Sequence, residues 1–165
     1  MRYFLLLLLA LSFGAMADTG PTLWVNGGHS TLSGVANQVG SAYSIEETLP
    51  TDGYGTYEIG YLSEGHIDMA SRSGLVFKMR FDSHLTDVIS PFMTLGVYLS
   101  DSTLYIPNSP LRIDGYNGSA IVGLGIRAKI TKSWAAQARW EHVQFSDKYL
   151  PYNSDILMFG VGYSN

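Results

Sequence analysis

The sequence predicts an all-β fold, an eight-stranded antiparallel up-and-down β-barrel, and three observations support this prediction. Apolar and polar residues alternate with period two over several segments of the chain, which is typical of strands with one apolar face. The number of such segments is eight, an even count, and short polar turns alternate with longer connections. Both features are expected when neighbouring strands are antiparallel. The length of 165 residues suggests a single domain.

Composition and charge limit the classes of function. Only 15% of the residues are charged, against roughly 25% in soluble domains, and 13% are aromatic. The formal net charge is −4 and the basic residues are scattered, so a nucleic-acid partner is not expected. There is no cysteine, which excludes disulfides and thiol chemistry. The sequence predicts no cofactor.

The N-terminus predicts export from the cytoplasm. Arg2 precedes an apolar run from Phe4 to about Phe13, and Ala15-Met16-Ala17 forms a small-x-small cleavage site. We therefore expect a secretory signal peptide over residues 1–17, cleaved near Ala17, and a barrel over residues 18–165. No later segment has the apolar length of a transmembrane helix, but a closed barrel is the other structure that can span a membrane.

The first four strands are predicted in order along the N-terminal half. Two weakly patterned strands cover roughly Leu23–His29 and Ala36–Ile45. The third, TYEIGYL, alternates tyrosine and isoleucine with Glu58 and glycine, and the fourth, RSGLVFKMRF, alternates large apolar residues with Lys78 and Arg80. The connection EETLPTDGYG between the second and third strands is too long for a tight turn. It is interpreted as a longer turn or as an error in the boundaries of weak strands.

The last four strands are more strongly patterned. The fifth, VISPFMTLGVYL, follows a short turn, and the eighth, DILMFGVGY, places glycines opposite its large apolar residues. Between them, the segments on either side of ITKS alternate twice and predict a β-hairpin. Other connections are longer and polar: SEGHIDMAS, SDSTLYIPNSPLRIDGYNG and SDKYLPYNSD. Periodicity alone does not separate a membrane barrel from a soluble sandwich.

The distribution of aromatic and charged residues favours the membrane barrel. Aromatic residues near strand ends suit the two lipid interfaces; they are Trp134, Trp140, Tyr149, Tyr152 and Tyr163. The interior of an eight-stranded barrel is filled by side chains, so charges there must pair with one another. The predicted salt-bridge network comprises Glu58, Lys78, Arg80, Asp82, Arg127, Lys129, Arg139 and Glu141.

The segments ITKSWAAQARWEHVQFSD and SDILMFGVGY resemble the last hairpin and the closing strand of the OmpA-like eight-stranded outer-membrane barrels. The resemblance covers roughly residues 72–165. It implies a monomeric transmembrane barrel in the outer membrane of a Gram-negative bacterium, inserted by the barrel-assembly machinery and in contact with membrane lipids and lipopolysaccharide. The family usually ends in an aromatic residue, whereas this sequence ends in Tyr163-Ser164-Asn165. No peptidoglycan-binding domain follows, so that role is not implied.

The function expected from this fold is structural or adhesive, with external loops that present an unidentified interaction surface and no catalytic residue. One alternative is a lipid A acyl hydrolase that uses His142, Ser146 and Glu141, because a serine nucleophile needs an imidazole oriented by an acid. The deacylases of the PagL type that resemble this region carry His-x-Ser, whereas position 144 here is Gln. A narrow pore lined by the network and a soluble periplasmic lipid-binding barrel are further alternatives. The four histidines lack metal-ligand spacing, so no metal site is expected.

Overall fold

A computed structural model describes residues 20–32, 39–51, 55–67, 70–83, 85–105, 112–144 and 153–165. Eight strands follow one another in chain order around a closed barrel, each antiparallel to its neighbours, and β1 pairs with β8. The strands are β1 Thr22–Leu32, β2 Val39–Pro50, β3 Thr56–Ile67, β4 Ala70–Asp82, β5 Ile89–Tyr105, β6 Arg112–Lys129, β7 Trp134–Gln144 and β8 Ser154–Ser164. The predicted fold class is confirmed. The described ranges contain no helix long and apolar enough to cross a membrane.

The barrel has two different ends. One end, here called the turn rim, carries the β2–β3, β4–β5 and β6–β7 connections, the start of β1 and the end of β8. The β4–β5 and β6–β7 turns are closed by backbone hydrogen bonds, for example from Ile130 N to Trp134 O at 2.9 Å. The other end, the loop rim, carries the four remaining connections between consecutive strands. The predicted signal peptide and its cleavage site lie outside the described residues.

Three of the predicted connections contain strand residues, and one of them, SEGHIDMAS, includes the end of β3 and the start of β4. The segment interpreted as a long β2–β3 connection contains the last five residues of β2, Glu46–Pro50, so the predicted boundary is wrong. The polar stretch interpreted as a loop over residues 100–118 extends β5 to Tyr105 and begins β6 at Arg112. In these segments ladder hydrogen bonds form without an apolar alternation that periodicity could detect.

The period-two pattern separates an outward apolar face from an inward face. Leu124 and Leu95 point outward and are 59% and 53% exposed, while Gly123 and Thr94, one residue away, point inward. Cross-strand pairs keep the same parity around the ring. The outward face is an exposed apolar band, as the alternation predicted.

One irregularity interrupts the β3–β4 ladder. The register shifts between Ser63 and Gly65, and Gly65 has a φ of 73°, a conformation that glycine adopts without steric penalty. A side chain at this position would also contact the backbone of Ser41. Glu64, which lies between these two residues, is buried near the loop rim.

Candidate functional site

The barrel interior is arranged in zones between the two rims. A buried ion-pair network lies nearer the turn rim, and an apolar layer lies on its loop-rim side in strands β2 to β8. The residues of the apolar layer are Ala42, Leu62, Val76, Tyr98, Ile121, Val143, Ile156 and Met158. The residues of the network are Glu46, Glu58, Lys78, Arg80, Asp82, Arg127, Arg139 and Glu141.

Lys78 occupies the centre of the network. Its Nζ lies 2.6 Å from Glu46 Oε2, 2.6 Å from Glu141 Oε1 and 3.2 Å from Glu58 Oε2. These three carboxylates come from β2, β7 and β3, so the ammonium group joins strands that are not neighbours. All four side chains are at most 1% exposed. Charges this deeply buried are tolerated only when they are paired.

Two arginines extend the network. Arg139 forms a two-pronged hydrogen bond to Glu46, with Nη1 2.9 Å from Oε2 and Nη2 bonded to Oε1, and Nη2 also donates to Ser44 Oγ at 2.9 Å. Arg80 Nη1 donates to Glu58 Oε1 at 3.1 Å and to the amide oxygen of Gln137 at 3.2 Å. Planar guanidinium groups match carboxylates in this way. The Arg139–Glu46 pair joins β7 to β2, which are not neighbours in the barrel.

Near the turn rim the network ends on a charged pair and an aromatic cap. Asp82 bridges Arg80 Nη2 at 3.1 Å and Arg127 Nη2 at 3.3 Å. The Arg80 guanidinium carbon lies 3.6 Å from the Phe92 ring centroid and 5.9 Å from that of Trp24. The network thus contains four carboxylates and four cations, and it is electrically neutral.

The structure brings together seven of the eight residues predicted for this network. Lys129 is exposed and lies outside it, because it is the last residue of β6 and reaches only the turn rim. The prediction omits Glu46, although it contacts both Lys78 and Arg139. Glu46 lies an even number of residues from the inward positions 42 and 44, so period two would place its side chain inside the barrel. The prediction missed it because the sequence pattern assigns this segment to a turn.

On the loop-rim side the apolar layer is followed by a polar zone. Tyr98 is fully buried, and its hydroxyl donates to Leu62 O at 3.2 Å. Beyond it, Arg72 Nη1 lies 3.9 Å from Glu64 Oε2, and Ser30 Oγ donates to Glu64 O at 2.6 Å. The layer therefore separates two polar regions of the interior.

The residues of the acyl-hydrolase alternative are not assembled in the predicted way. His142 and Glu141 point to opposite faces, because neighbouring strand residues alternate; Glu141 is buried inside while His142 is half-buried outside. The acid beside His142 is Asp155 instead, with Nδ1 2.9 Å from Oδ1. Ser146 lies outside the described residues. Within the described ranges, the imidazole of His142 hydrogen-bonds to Asp155 and to no serine or threonine hydroxyl.

The three predicted interface aromatics within the described residues lie at two heights along the barrel. Trp134 and Tyr163 are neighbours at the turn rim, with ring centroids 5.0 Å apart. Trp140 lies further along β7 and stacks on His142 at 6.0 Å. The other two predicted interface residues, Tyr149 and Tyr152, fall outside the described residues. In the part of the chain that the structure describes, no group of three or more His, Asp or Glu side chains could hold a metal ion.

Comparison with known proteins identifies the fold. No protein-family model and no curated protein matches the sequence. Neisserial surface protein A (NspA) is similar in structure, with a TM-score of 0.74 and 11% identity over 88% of this chain and 97% of that chain. The N-terminal β-barrel domain of Pseudomonas aeruginosa OprF has a TM-score of 0.65 and 12% identity over 87% and 97%. Ail, the attachment invasion locus protein of Yersinia pestis, has a TM-score of 0.58 and 11% identity over 88% and 98%. The chain therefore has the fold of the OmpA-like eight-stranded outer-membrane β-barrels.

Proposed function

We propose that the protein is a monomeric outer-membrane β-barrel of a Gram-negative bacterium that acts as a structural and surface-presenting protein. The observation that carries this proposal is the filled interior. Seven strands contribute to the buried apolar layer, and the ion-pair network fills the space beneath it. A filled interior leaves the outward band and the two rims as the surfaces on which the protein can act.

The outward band supports a membrane location. Large apolar side chains cover it on all eight strands, and a polar outward face would be expected of a water-soluble barrel. The proposal includes contacts of this band with outer-membrane lipids and lipopolysaccharide, and insertion by the barrel-assembly machinery. A soluble barrel that holds a lipid is disfavoured, because charged side chains occupy the interior where an acyl chain would lie.

The β5–β6 hairpin is the best candidate for surface presentation. These are the two longest strands, and their pairing continues to Tyr105 and Arg112. The pairing of β6 with β7 begins only at Ala120, so in the described part of the chain residues 112–119 pair with β5 alone. The projecting hairpin exposes Tyr116, which is 89% accessible. Ail, which shares this fold, is named as an attachment invasion locus protein, so attachment is a role associated with the fold in another protein.

Single-cysteine variants test both the location and the topology, because the chain has no cysteine. Tyr116→Cys should react with a membrane-impermeant maleimide in intact cells. Thr131→Cys, in the turn between β6 and β7, should react only after the outer membrane is permeabilised. Labelling in the reverse order would overturn the topology, and recovery of the chain in the soluble periplasmic fraction would overturn the location.

The adhesive part of the proposal has a separate test. Tyr116→Ala combined with Asp101→Ala removes exposed side chains of the projecting hairpin while the barrel interior is unchanged. Adherence of expressing cells to epithelial monolayers should fall, with the amount of labelled surface protein unchanged. Equal adherence of cells that express the wild type and cells that express the double variant would show that these hairpin side chains have no adhesive role.

A further inference from the structure

A polar cavity opens at the turn rim, outside the aromatic cap of the network. Its volume is about 620 Å³, a size within the usual range for small-molecule pockets. Its polar and aromatic lining residues include Thr22, Trp24, Asp87, Ser90, Arg127, Lys129, Lys132 and Trp134. Trp24 lines the cavity, and its ring centroid lies 5.9 Å from the guanidinium carbon of Arg80. Arg127 belongs to both, so the cavity adjoins the ion-pair network at its turn-rim end.

The charge of the lining is positive. Three cationic side chains, Arg127, Lys129 and Lys132, line the cavity together with a single side-chain carboxylate, Asp87. Because the buried network is neutral without Lys129 and Lys132, these two ammonium groups are not needed to compensate its carboxylates. Within the described ranges, neither lysine forms an ion pair. An anion that enters the cavity would meet uncompensated positive charge.

One hydrogen-bond donor of a lining residue also lacks an acceptor. Trp24 is 1% exposed, and its Nε1 has no hydrogen-bond partner within the described part of the chain. A buried indole N–H normally finds a partner. Arg127 adds a guanidinium group whose Nη2 contacts Asp82 and whose remaining N–H groups can donate elsewhere. A ligand that fits this site supplies several acceptor oxygens.

We propose that this cavity binds a phosphate group, as a phosphomonoester or phosphodiester. Phosphate provides several acceptor oxygens with negative charge, which suits one arginine, two lysines and an indole N–H. Two sources share this chemistry: a free phosphorylated small molecule, and the headgroup of an anionic phospholipid that reaches the rim beside Trp134. The proposal concerns the turn rim and does not rest on the function proposed for the loop rim.

The indole N–H signals of an ¹⁵N-labelled sample provide the test, because the chain contains only three tryptophans. The protein is purified from membranes into a phosphate-free zwitterionic detergent, and Trp→Phe variants assign the three signals. Glycerol 3-phosphate is titrated at constant ionic strength for the free source. Mixed micelles of the same phosphate-free detergent with added phosphatidylglycerol test the lipid source. Trp24 reports the site, and Trp140, on the outward face of β7, is the internal control.

Saturable movement of the Trp24 signal with glycerol 3-phosphate supports the site and a free ligand, whereas movement only with phosphatidylglycerol supports the site and a lipid ligand. The Lys129→Gln, Lys132→Gln double variant should weaken binding by roughly tenfold or more, with the Trp140 signal unmoved as evidence that the barrel is folded. Asp87→Asn should strengthen binding, because it removes the opposing carboxylate. No saturable movement with either source, an undiminished response in the double variant, or weaker binding in Asp87→Asn would each overturn the proposal.

Discussion

Lys78 Nζ lies 2.6 Å from Glu46 Oε2 across the barrel interior, although β4 and β2 are separated by β3 in the sheet. The same ammonium group reaches Glu141 on β7, also at 2.6 Å. Strand hydrogen bonds hold neighbours together, whereas this contact joins distant parts of the ring. The closed barrel is therefore stabilised by ion pairs between one buried cation, Lys78, and carboxylates of other strands.

Replacement of Lys78 by Met is expected to destabilise the barrel by about 3–5 kcal/mol, because it leaves three buried carboxylates without their shared cation. The matched control is Lys129→Met, a change of the same chemistry on an exposed lysine at the turn rim. It should alter the free energy of unfolding by less than about 0.5 kcal/mol. Urea titrations of the protein refolded into lipid vesicles measure both values, and similar values for the two variants would contradict a buried network.

Leu124→Arg tests the membrane position of the outward band. If Leu124 lies near the bilayer midplane, the substitution should cost about 2–4 kcal/mol of folding stability in vesicles. Tyr116→Arg is the control, since it has the same outward parity on the same strand but lies on the hairpin that projects past β7. Its effect should stay within about 0.5 kcal/mol. A loss at Tyr116 as large as that at Leu124 would mean that the projecting hairpin is not in water.

The sequence predicts most of the fold but not all of the interior. Regular alternation locates β4 to β8, because lipid-facing and inward residues differ sharply in polarity. The alternation does not locate the end of β2, where Glu46 and Glu47 are adjacent and Pro50 follows. Inward and outward positions do not differ in polarity there. Inward parity alone also groups Lys129 with Arg139. Height along the barrel separates these two residues, and height depends on strand ends that periodicity does not define.

The pore alternative predicts a different behaviour of Glu141. In the filled interior, Glu141→Ala leaves Lys78 and Arg139 with one carboxylate fewer and should cost about 3–5 kcal/mol. Planar-bilayer recordings should show no conductance in the wild type or the variant, because the apolar layer around Tyr98 and Ile121 is unchanged. A water-filled pore would instead give a conducting wild type, with altered ion selectivity and little loss of stability in Glu141→Ala.

Gly65 tests the bulge in the β3–β4 ladder. Gly65→Ala should destabilise the protein by at least about 1–2 kcal/mol, since a residue with a side chain is strained at positive φ and its Cβ would meet the Ser41 backbone. Gly27→Ala is the control, because a Cβ at Gly27 meets no atom within 4 Å. Unfolding titrations that rank the two variants equally would mean that the bulge relaxes without cost.

The last prediction concerns His142 and Asp155, which pair at 2.9 Å on the outward face. A histidine and an acid in contact are two parts of a hydrolytic site, but such a site also needs a nucleophile within hydrogen-bond reach of the imidazole. The neighbours of His142 in the described ladders are Val122 and Asp155, and its ring stacks on Trp140. The pair is therefore expected to anchor the barrel at the membrane interface and to leave lipid A unmodified.

Mass spectrometry of lipid A from cells that express the wild type, His142→Ala, Asp155→Asn or Ser146→Ala should show one and the same acylation pattern. Unfolding titrations of the same variants should show small losses for the first two changes, since they break one half-buried pair of the kind that contributes roughly 0.2–1 kcal/mol. The hydrolase alternative requires the opposite outcome. The wild type would then produce lipid A with fewer acyl chains, and His142→Ala and Ser146→Ala would restore full acylation with folding stability intact. That result would establish a catalytic site at this rim.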